Sequence, residues 1–166
     1  MAASIRAHAN LNLFLAERAI AGFMSGAFDG FWGEHAELLA LDTALFRLQL
    51  AYRCHLADLC EQRQLSLRPC TAVEAGEATS AQGEFVPEIQ ELIEREQNEG
   101  WLGQLLAENF LPGSSAVAGS VLPGGDVNVI ARSESSKNIR NPELLGQVIV
   151  ELKALFVRHR ETQQEY

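Results

Sequence analysis

The side chains best suited to chemistry lie close together near the middle of the sequence. A phenol, a guanidinium, an imidazole and a carboxylate follow one another there, on Tyr52, Arg53, His55 and Asp58. Tyr52 and His55 are three residues apart and would share one face of a helix, whereas the other two side chains need not join them. Convergence of that face with Trp101 or His159 in one cleft would form a polar pocket. These six side chains are therefore candidates for binding or hydrolysing a small ligand.

The sequence predicts no catalytic residue, no metal site and no cofactor. His55 and Asp58 could meet one ion from a helix, but the Glu-x-x-His repeats of metal-binding bundles are missing, as is the usual zinc spacing. No Gly-x-Ser-x-Gly elbow occurs. The PGGD segment at 123–126 lacks the Lys-Ser/Thr ending and the preceding strand of a phosphate-binding loop. These observations favour a protein that is not an enzyme.

One long helix must carry the cluster from Tyr52 to Asp58. Between Glu34 and Arg63 the chain has neither Gly nor Pro, and Leu, Ala, Arg, Glu and Gln predominate. The leucines recur every three or four residues in two neighbouring stripes, so several other helices must cover this one. The same periodicity and the capping signals predict further helices at 4–24, 87–97, 100–110 and from 142 onward.

The stretch from 111 to 141 differs in character from the rest of the chain. It is rich in Gly, Ser and Pro around an apolar island at 127–130, and it predicts an insertion without long helices. Asn141 can cap the last helix and Pro142 can occupy its first turn. The fold class that follows is all-α. We expect an up-and-down antiparallel helical bundle of about four main helices, with one of them broken, in a single domain of residues 1–166.

Charge and hydropathy restrict the partners. The net charge of −9 argues against nucleic acid, because phosphate binding draws on clustered Lys and Arg. No apolar run is long enough to cross a bilayer, and the first residues do not form a convincing export signal, so no membrane partner and a cytoplasmic location are expected. The three cysteines lack a Cys-x-x-Cys pair and fit reduced, structural thiols.

Four segments resemble an uncharacterised domain-of-unknown-function family of small bacterial helical proteins. They are NLNLFLAERAI near the N-terminus, ALFRLQLAYRCHLADLCE in the long helix, WLGQLL, and the ending ELKALFVRHRETQQEY. The closing aromatic of that family matches Tyr166. Because the family has no established activity, the resemblance implies only a helical fold and a bacterial, cytoplasmic setting.

The functional prediction combines these points. Catalytic signatures are missing, while the long helix has more apolar surface than a single chain readily covers. We predict a non-catalytic interaction module that self-associates as a homodimer. We also expect it to bind an unidentified protein partner, through an exposed apolar helix face or the stretch 111–140. The alternative is a small-ligand-binding or hydrolytic bundle that uses the polar pocket named above.

Overall fold

The computed structural model describes residues 4–110 and 139–164, and all of its regular elements are helices. They are α1 (Ile5–Met24), α2 (Asp29–Trp32), a 3-10 turn (Gly33–His35), α3 (Ala36–Gln62), α4 (Ala72–Ala81), α5 (Pro87–Gln97), α6 (Trp101–Ala107) and α7 (Pro142–Gln164). The predicted all-α class is therefore confirmed. Most of the predicted insertion, residues 111–138, lies outside the described residues.

Side-chain caps fix several helix starts. The Ser4 hydroxyl accepts a hydrogen bond from the Ala7 N–H at the start of α1, at 3.2 Å. The Asn141 side-chain oxygen accepts from the backbone N–H groups of Glu143 and Leu144, at 2.9 and 3.1 Å. Such bonds satisfy backbone donors that have no partner inside the helix. The predicted cap at Asn141 is confirmed.

The two longest helices of the N-terminal half, α1 and α3, pack side by side and run antiparallel. Arg6 near the start of α1 donates to Asp58 near the end of α3, at 3.0 Å. Farther along α1, Asn12 accepts a hydrogen bond from Arg47, which lies earlier in α3, at 3.1 Å. Small residues such as Ala9, Ala16 and Ala44, all 0% exposed, allow the two helices to approach closely.

The last helix, α7, packs against both α1 and α3. Arg160 donates to Asn10 at 2.9 Å, and Lys153 lies 3.4 Å from Glu17. Because the residue numbers rise in one helix as they fall in the other, α7 runs antiparallel to α1 and parallel to α3. Two long helices, α1 and α7, therefore cover α3 on the side that faces α7.

Shorter helices fill the chain between α3 and α7. α4 and α5 form a hairpin, in which an added Cβ on Gly76 would come within 2.9 Å of Ile93 Cδ1, so this glycine permits the close contact. α6 ends at Ala107, three residues earlier than predicted, where the Gln49 amide donates to the carbonyls of Leu105 and Glu108 at 2.8 and 2.9 Å. The count of four main helices in up-and-down order is not confirmed, because three short helices occupy this region. The single-domain assignment stays a prediction.

The core lies between α1, α3 and α7 and extends to α5 and α6. Its largest fully buried side chains are Tyr52, Phe156, Leu45, Leu48, Leu56, Leu59, Ile89, Leu92, Leu102, Leu105, Leu145 and Leu152. Burying a Leu or Phe side chain contributes roughly 1.5–3 kcal/mol, so this set dominates the stability of the fold. Within the described part of the chain, none of the helices has the length and apolarity needed to cross a membrane.

Candidate functional site

Two histidines meet where α7 packs on α3, with α5 beside them. His55 Nε2 lies 3.0 Å from His159 Nδ1, and His159 Nε2 lies 3.1 Å from Glu91 Oε2. His55 is 0% exposed and His159 is 1% exposed. His55 also stacks on Phe156, with 4.0 Å between the ring centroids. One series of hydrogen bonds, from Glu91 through His159 to His55, thus joins three helices, and we call it the histidine chain.

The hydrogen positions in the histidine chain follow from Glu91. Burial works to raise the pKa of this carboxyl, but hydrogen bonds from Arg95, His159 and Arg158 outweigh it and lower the pKa to about 2. An ionised carboxylate only accepts hydrogen bonds, so His159 Nε2 carries the hydrogen. In the neutral ring, Nδ1 of His159 is then an acceptor, and His55 Nε2 donates to it. His55 Nδ1 is left with a bare lone pair.

The lone pair of His55 Nδ1 is buried and accepts no hydrogen bond from the described residues. Among the described residues, His55 Nδ1 has no hydrogen-bond partner. Buried polar atoms are paired in the large majority of cases, so an unpaired one at the end of a hydrogen-bonded series needs an explanation. A metal ion is not indicated by the neighbouring side chains, because no group of three or more His, Cys, Asp or Glu in the described ranges could hold one.

Both rings resist protonation. Burial lowers the pKa of His55 well below 6.5, and the positive charge of a protonated His159 and of nearby arginines lowers it further. Burial likewise lowers the pKa of His159, although the hydrogen bond and the negative charge of Glu91 oppose the effect. At neutral pH the site therefore consists of two neutral imidazoles and one carboxylate.

The structure brings two of the six sequence candidates together, His55 and His159. Tyr52, almost one turn earlier on α3, donates instead to Glu96 Oε1 at 2.7 Å, and the same oxygen accepts from the Ala72 N–H at 2.8 Å. Burial raises the pKa of Tyr52, and the charge and the hydrogen bond of Glu96 raise it further. The phenol is thus a structural donor that ties α3 to α5 and α4.

The remaining three candidates have other surroundings. Asp58 accepts hydrogen bonds from Arg6 at 3.0 Å and from Gln62 at 3.2 Å. Arg53 is exposed on the outer side of α3, and Trp101 is half-buried against the core at the start of α6. Apart from the pair His55–His159, the candidate side chains therefore take part in separate sets of contacts. Ligand binding by any of them stays a prediction.

Sequence reasoning missed the two acids that organise this region, Glu91 and Glu96. Glu91 lies within the helix predicted at 87–97 and was assigned no partner there, yet it contacts His159, Arg95 and Arg158. Its spacing of four residues from Arg95 was a usable signal for that ion pair. Nothing in the sequence marks Glu96 as the partner of Tyr52, because the contact joins residues far apart in the chain.

Comparison with known proteins places the whole described chain in one family. A family model, described as a family of unknown function, matches residues 4–166. The chain belongs to the DUF6586 family. No curated protein and no solved structure matches it. The resemblance to a family without known activity is confirmed, while the bacterial and cytoplasmic setting stays a prediction.

The outer side of α3 in this DUF6586 protein is apolar and lies open. Phe46 is 50% exposed and Leu39 is 39% exposed on that side, and Phe110, which is 41% exposed, packs edge-on against Phe46 with 6.0 Å between centroids. Leu50, one turn farther along α3, is half-buried. We call Leu39, Phe46, Leu50 and Phe110 the Phe46 surface. Like the histidine chain, it is a feature that the packing of a stable core does not explain.

Proposed function

We propose that this protein is a non-catalytic interaction module that self-associates through the Phe46 surface. The observation that carries the proposal is a pair of contacting phenylalanines, Phe46 on α3 and Phe110 in the chain after α6, each about half exposed. Contiguous apolar patches of this kind are uncommon on monomeric proteins and typical of interaction sites. Aromatic residues are also enriched where partners bury one another's surface.

The spacing along α3 favours a helix as the partner. Leu39, Thr43, Phe46, Leu50 and Arg53 follow one another at steps of four, three, four and three residues. Alternating steps of three and four keep side chains on one seam, as in two helices that pack along each other. Thr43 and Arg53 are exposed, so a polar side chain lies on each side of the Phe46–Leu50 pair, with Leu39 beyond Thr43. That arrangement resembles a hydrophobic centre with a polar rim.

A second copy of the chain fits this seam. In a two-fold arrangement the same patch meets itself, so the seam must match its own antiparallel image. Pairing centred between Phe46 and Leu50 places each Phe46 beside Leu50 of the other copy. It also places the exposed Thr43 of one copy opposite the exposed Arg53 of the other, so polar side chains meet on both sides of this apolar centre. A self-complementary contact therefore follows from the order of residues in α3.

The test compares two exposed phenylalanines by light scattering coupled to size exclusion. The wild-type chain is expected to approach twice 18.2 kDa as its concentration rises, and Phe46→Glu is expected to remain near 18.2 kDa. Phe14→Glu is the matched control, because Phe14 on α1 is 53% exposed and lies outside the seam. A monomeric wild type would refute self-association. A dimer disrupted by Phe14→Glu but not by Phe46→Glu would refute the assigned surface.

The small-ligand alternative has one observation in its favour, which is the convergence of His55 and His159. Both rings are buried, so a ligand would reach them only if part of α7 moved away. A screen that follows the imidazole signals of the four histidines by NMR tests this function. A ligand of the pocket would shift the signals of His55 and His159 and leave those of the exposed His8 and His35 unchanged.

A further inference from the structure

We propose that the histidine chain is a proton-operated latch, which holds the C-terminal turns of α7 on the bundle and releases them when the two imidazoles take up protons. The latch does not depend on self-association. It consists of the hydrogen bonds that join His55, His159 and Glu91, at 3.0 and 3.1 Å, with His55 Nδ1, which has no partner among the described residues, at their inner end. The C-terminal turns are Phe156–Thr162.

Counting hydrogens shows where the first added proton must go. In the neutral state one hydrogen lies between His159 Nε2 and Glu91, and one lies between the two rings. If both hydrogen bonds are kept, the only nitrogen that can take a further hydrogen is His55 Nδ1. This conclusion holds whichever ring carries the charge, because the shared hydrogen can belong to either nitrogen of the His55–His159 bond.

The surroundings of His55 Nδ1 do not accept that hydrogen. This nitrogen has no partner among the described residues, and the ring stacks on Phe156. The charged groups that act on His55 from α1 and α7 are Arg6 and Arg160, which are positive as well. The carboxylate of Asp58, on α3 itself, is taken by Arg6 and Gln62. A first proton would therefore be a buried charge with an unsatisfied N–H, which is costly in a protein interior.

The charged groups around His159 have opposing effects on its protonation. From α5, Glu91 and Glu88 favour a charged His159, whereas Arg158 on α7 disfavours it. Arg95 on α5 shares Glu91 with both of these α7 side chains, at 2.8 Å from Glu91 Oε1. A second proton on the pair would place hydrogens on both nitrogens that now share one, and the His55–His159 bond would be lost. Opening supplies water to both rings, so protonation and opening favour each other.

The release is expected at one end of α7 only. The start of that helix is held by Asn141 and by Arg140, which reaches Asp42 at 2.6 Å and Glu108 at 2.8 Å. The histidine chain is remote from these contacts and lies in the last turns, where Arg158 and Arg160 make surface contacts with Glu91 and Asn10. Local opening of a terminal segment needs less free energy than unfolding of the whole domain.

The experiment combines NMR of the four imidazoles with hydrogen exchange between pH 8 and 4.5. We expect the signals of His55 and His159 to change together, at a pH below the ordinary histidine pKa of about 6.5. We also expect backbone protection in Phe156–Thr162 to fall at least tenfold at that pH, while Leu145–Leu152 stays protected. Titration of His55 at about pH 6.5 with full protection retained would overturn the latch.

Two variants separate the latch from general acid sensitivity. His55→Gln keeps an N–H donor for His159 but cannot take up a proton, so the loss of protection is expected to move at least one pH unit lower. His8→Gln is the control and is expected to change nothing. Glu91→Gln replaces the carboxylate that holds His159 and Arg158 on α5 with a neutral amide, whose oxygen accepts more weakly, and we expect opening of Phe156–Thr162 at higher pH than in Glu94→Gln. Unchanged opening in both His55→Gln and Glu91→Gln would overturn the proposal, and Glu91→Gln alone decides it if His55→Gln does not fold.

Discussion

The two sides of α3 differ in the kind of side chain that they bury and the kind that they expose. Towards α7 the helix buries His55 completely, and within residues 4–110 and 139–164 the hydrogen bond to His159 is the polar contact of this ring. Towards the outside it leaves Phe46 half exposed, beside Phe110. A helix under selection for stability alone would exchange these two side chains, because burial favours the apolar ring and water favours the imidazole. This arrangement is the physical ground for the two proposals, a latch on the buried side and self-association on the outer side.

The largest loss of stability is expected from a substitution on the side of α3 that faces α7. His55→Ala removes a ring packed on Phe156 and leaves His159 Nδ1 without its donor, so we expect the free energy of unfolding to fall by roughly 3 kcal/mol. Phe46→Ala, on the other side of the same helix, is expected to lower it by less than about 1 kcal/mol. Urea denaturation of both variants measures the difference. Equal losses would mean that the two sides contribute alike.

The pH dependence of stability is the next effect in size. Both histidines have pKa values below the unfolded value of about 6.5, so the unfolded chain binds more protons in acid. Their contribution is complete above about pH 6.5 and is lost as the pH falls towards the folded pKa values. Each ring that stays neutral at pH 5 is expected to account for about 2 kcal/mol of that loss.

Urea titrations at pH 7 and pH 5 measure this effect, and His55→Gln should reduce it by about half. The low pKa of Glu91, about 2, places its own contribution at pH values below about 4.5 and so outside the interval. A wild type whose stability is equal at the two pH values would show that the buried imidazoles are protonated without penalty.

A smaller loss of stability is expected from the buried hydrogen bond between Tyr52 and Glu96. Tyr52→Phe removes the donor to Glu96 but leaves that carboxylate its hydrogen bond from the Ala72 N–H. We expect a loss of about 1–2 kcal/mol in the free energy of unfolding. Combining Tyr52→Phe with Glu96→Gln in a double-mutant cycle isolates the contact. Additive losses would show that the hydroxyl and the carboxylate do not stabilise each other.

The helices could be predicted from local signals, and the site could not. The run without Gly or Pro that became α3, and the Asn141 cap of α7, depend on residues near each other in sequence. Their hydrogen bonds and propensities act over one turn. The early end of α6 depends on Gln49, which comes more than fifty positions before the carbonyls it binds. No local pattern contains that information.

The histidine chain illustrates the same limit. His55 and His159 were both named as candidates from their residue type, but their contact joins residues 104 positions apart. The packing of α7 on α3 decides which side of α3 faces α7. The two apolar stripes on α3 were compatible with more than one packing. Glu91 was recognisable only as a helix acid and an ion-pair partner of Arg95. Its role became visible once α5 and α7 were placed together.

Phe46→Ser, on the outer side of α3, is expected to have the smallest effect on the stability of the folded monomer. Removing a half-exposed ring should change the free energy of unfolding of the dilute chain by less than about 1 kcal/mol, as in Phe46→Ala, because little buried area is lost. Association adds stability that grows with protein concentration, since only the folded chain pairs. The Tm of the wild type should therefore rise with concentration, and the Tm of Phe46→Ser should not. A serine variant that unfolds easily even when dilute would instead place Phe46 in the core of the monomer, and the outer side of α3 would then need no partner.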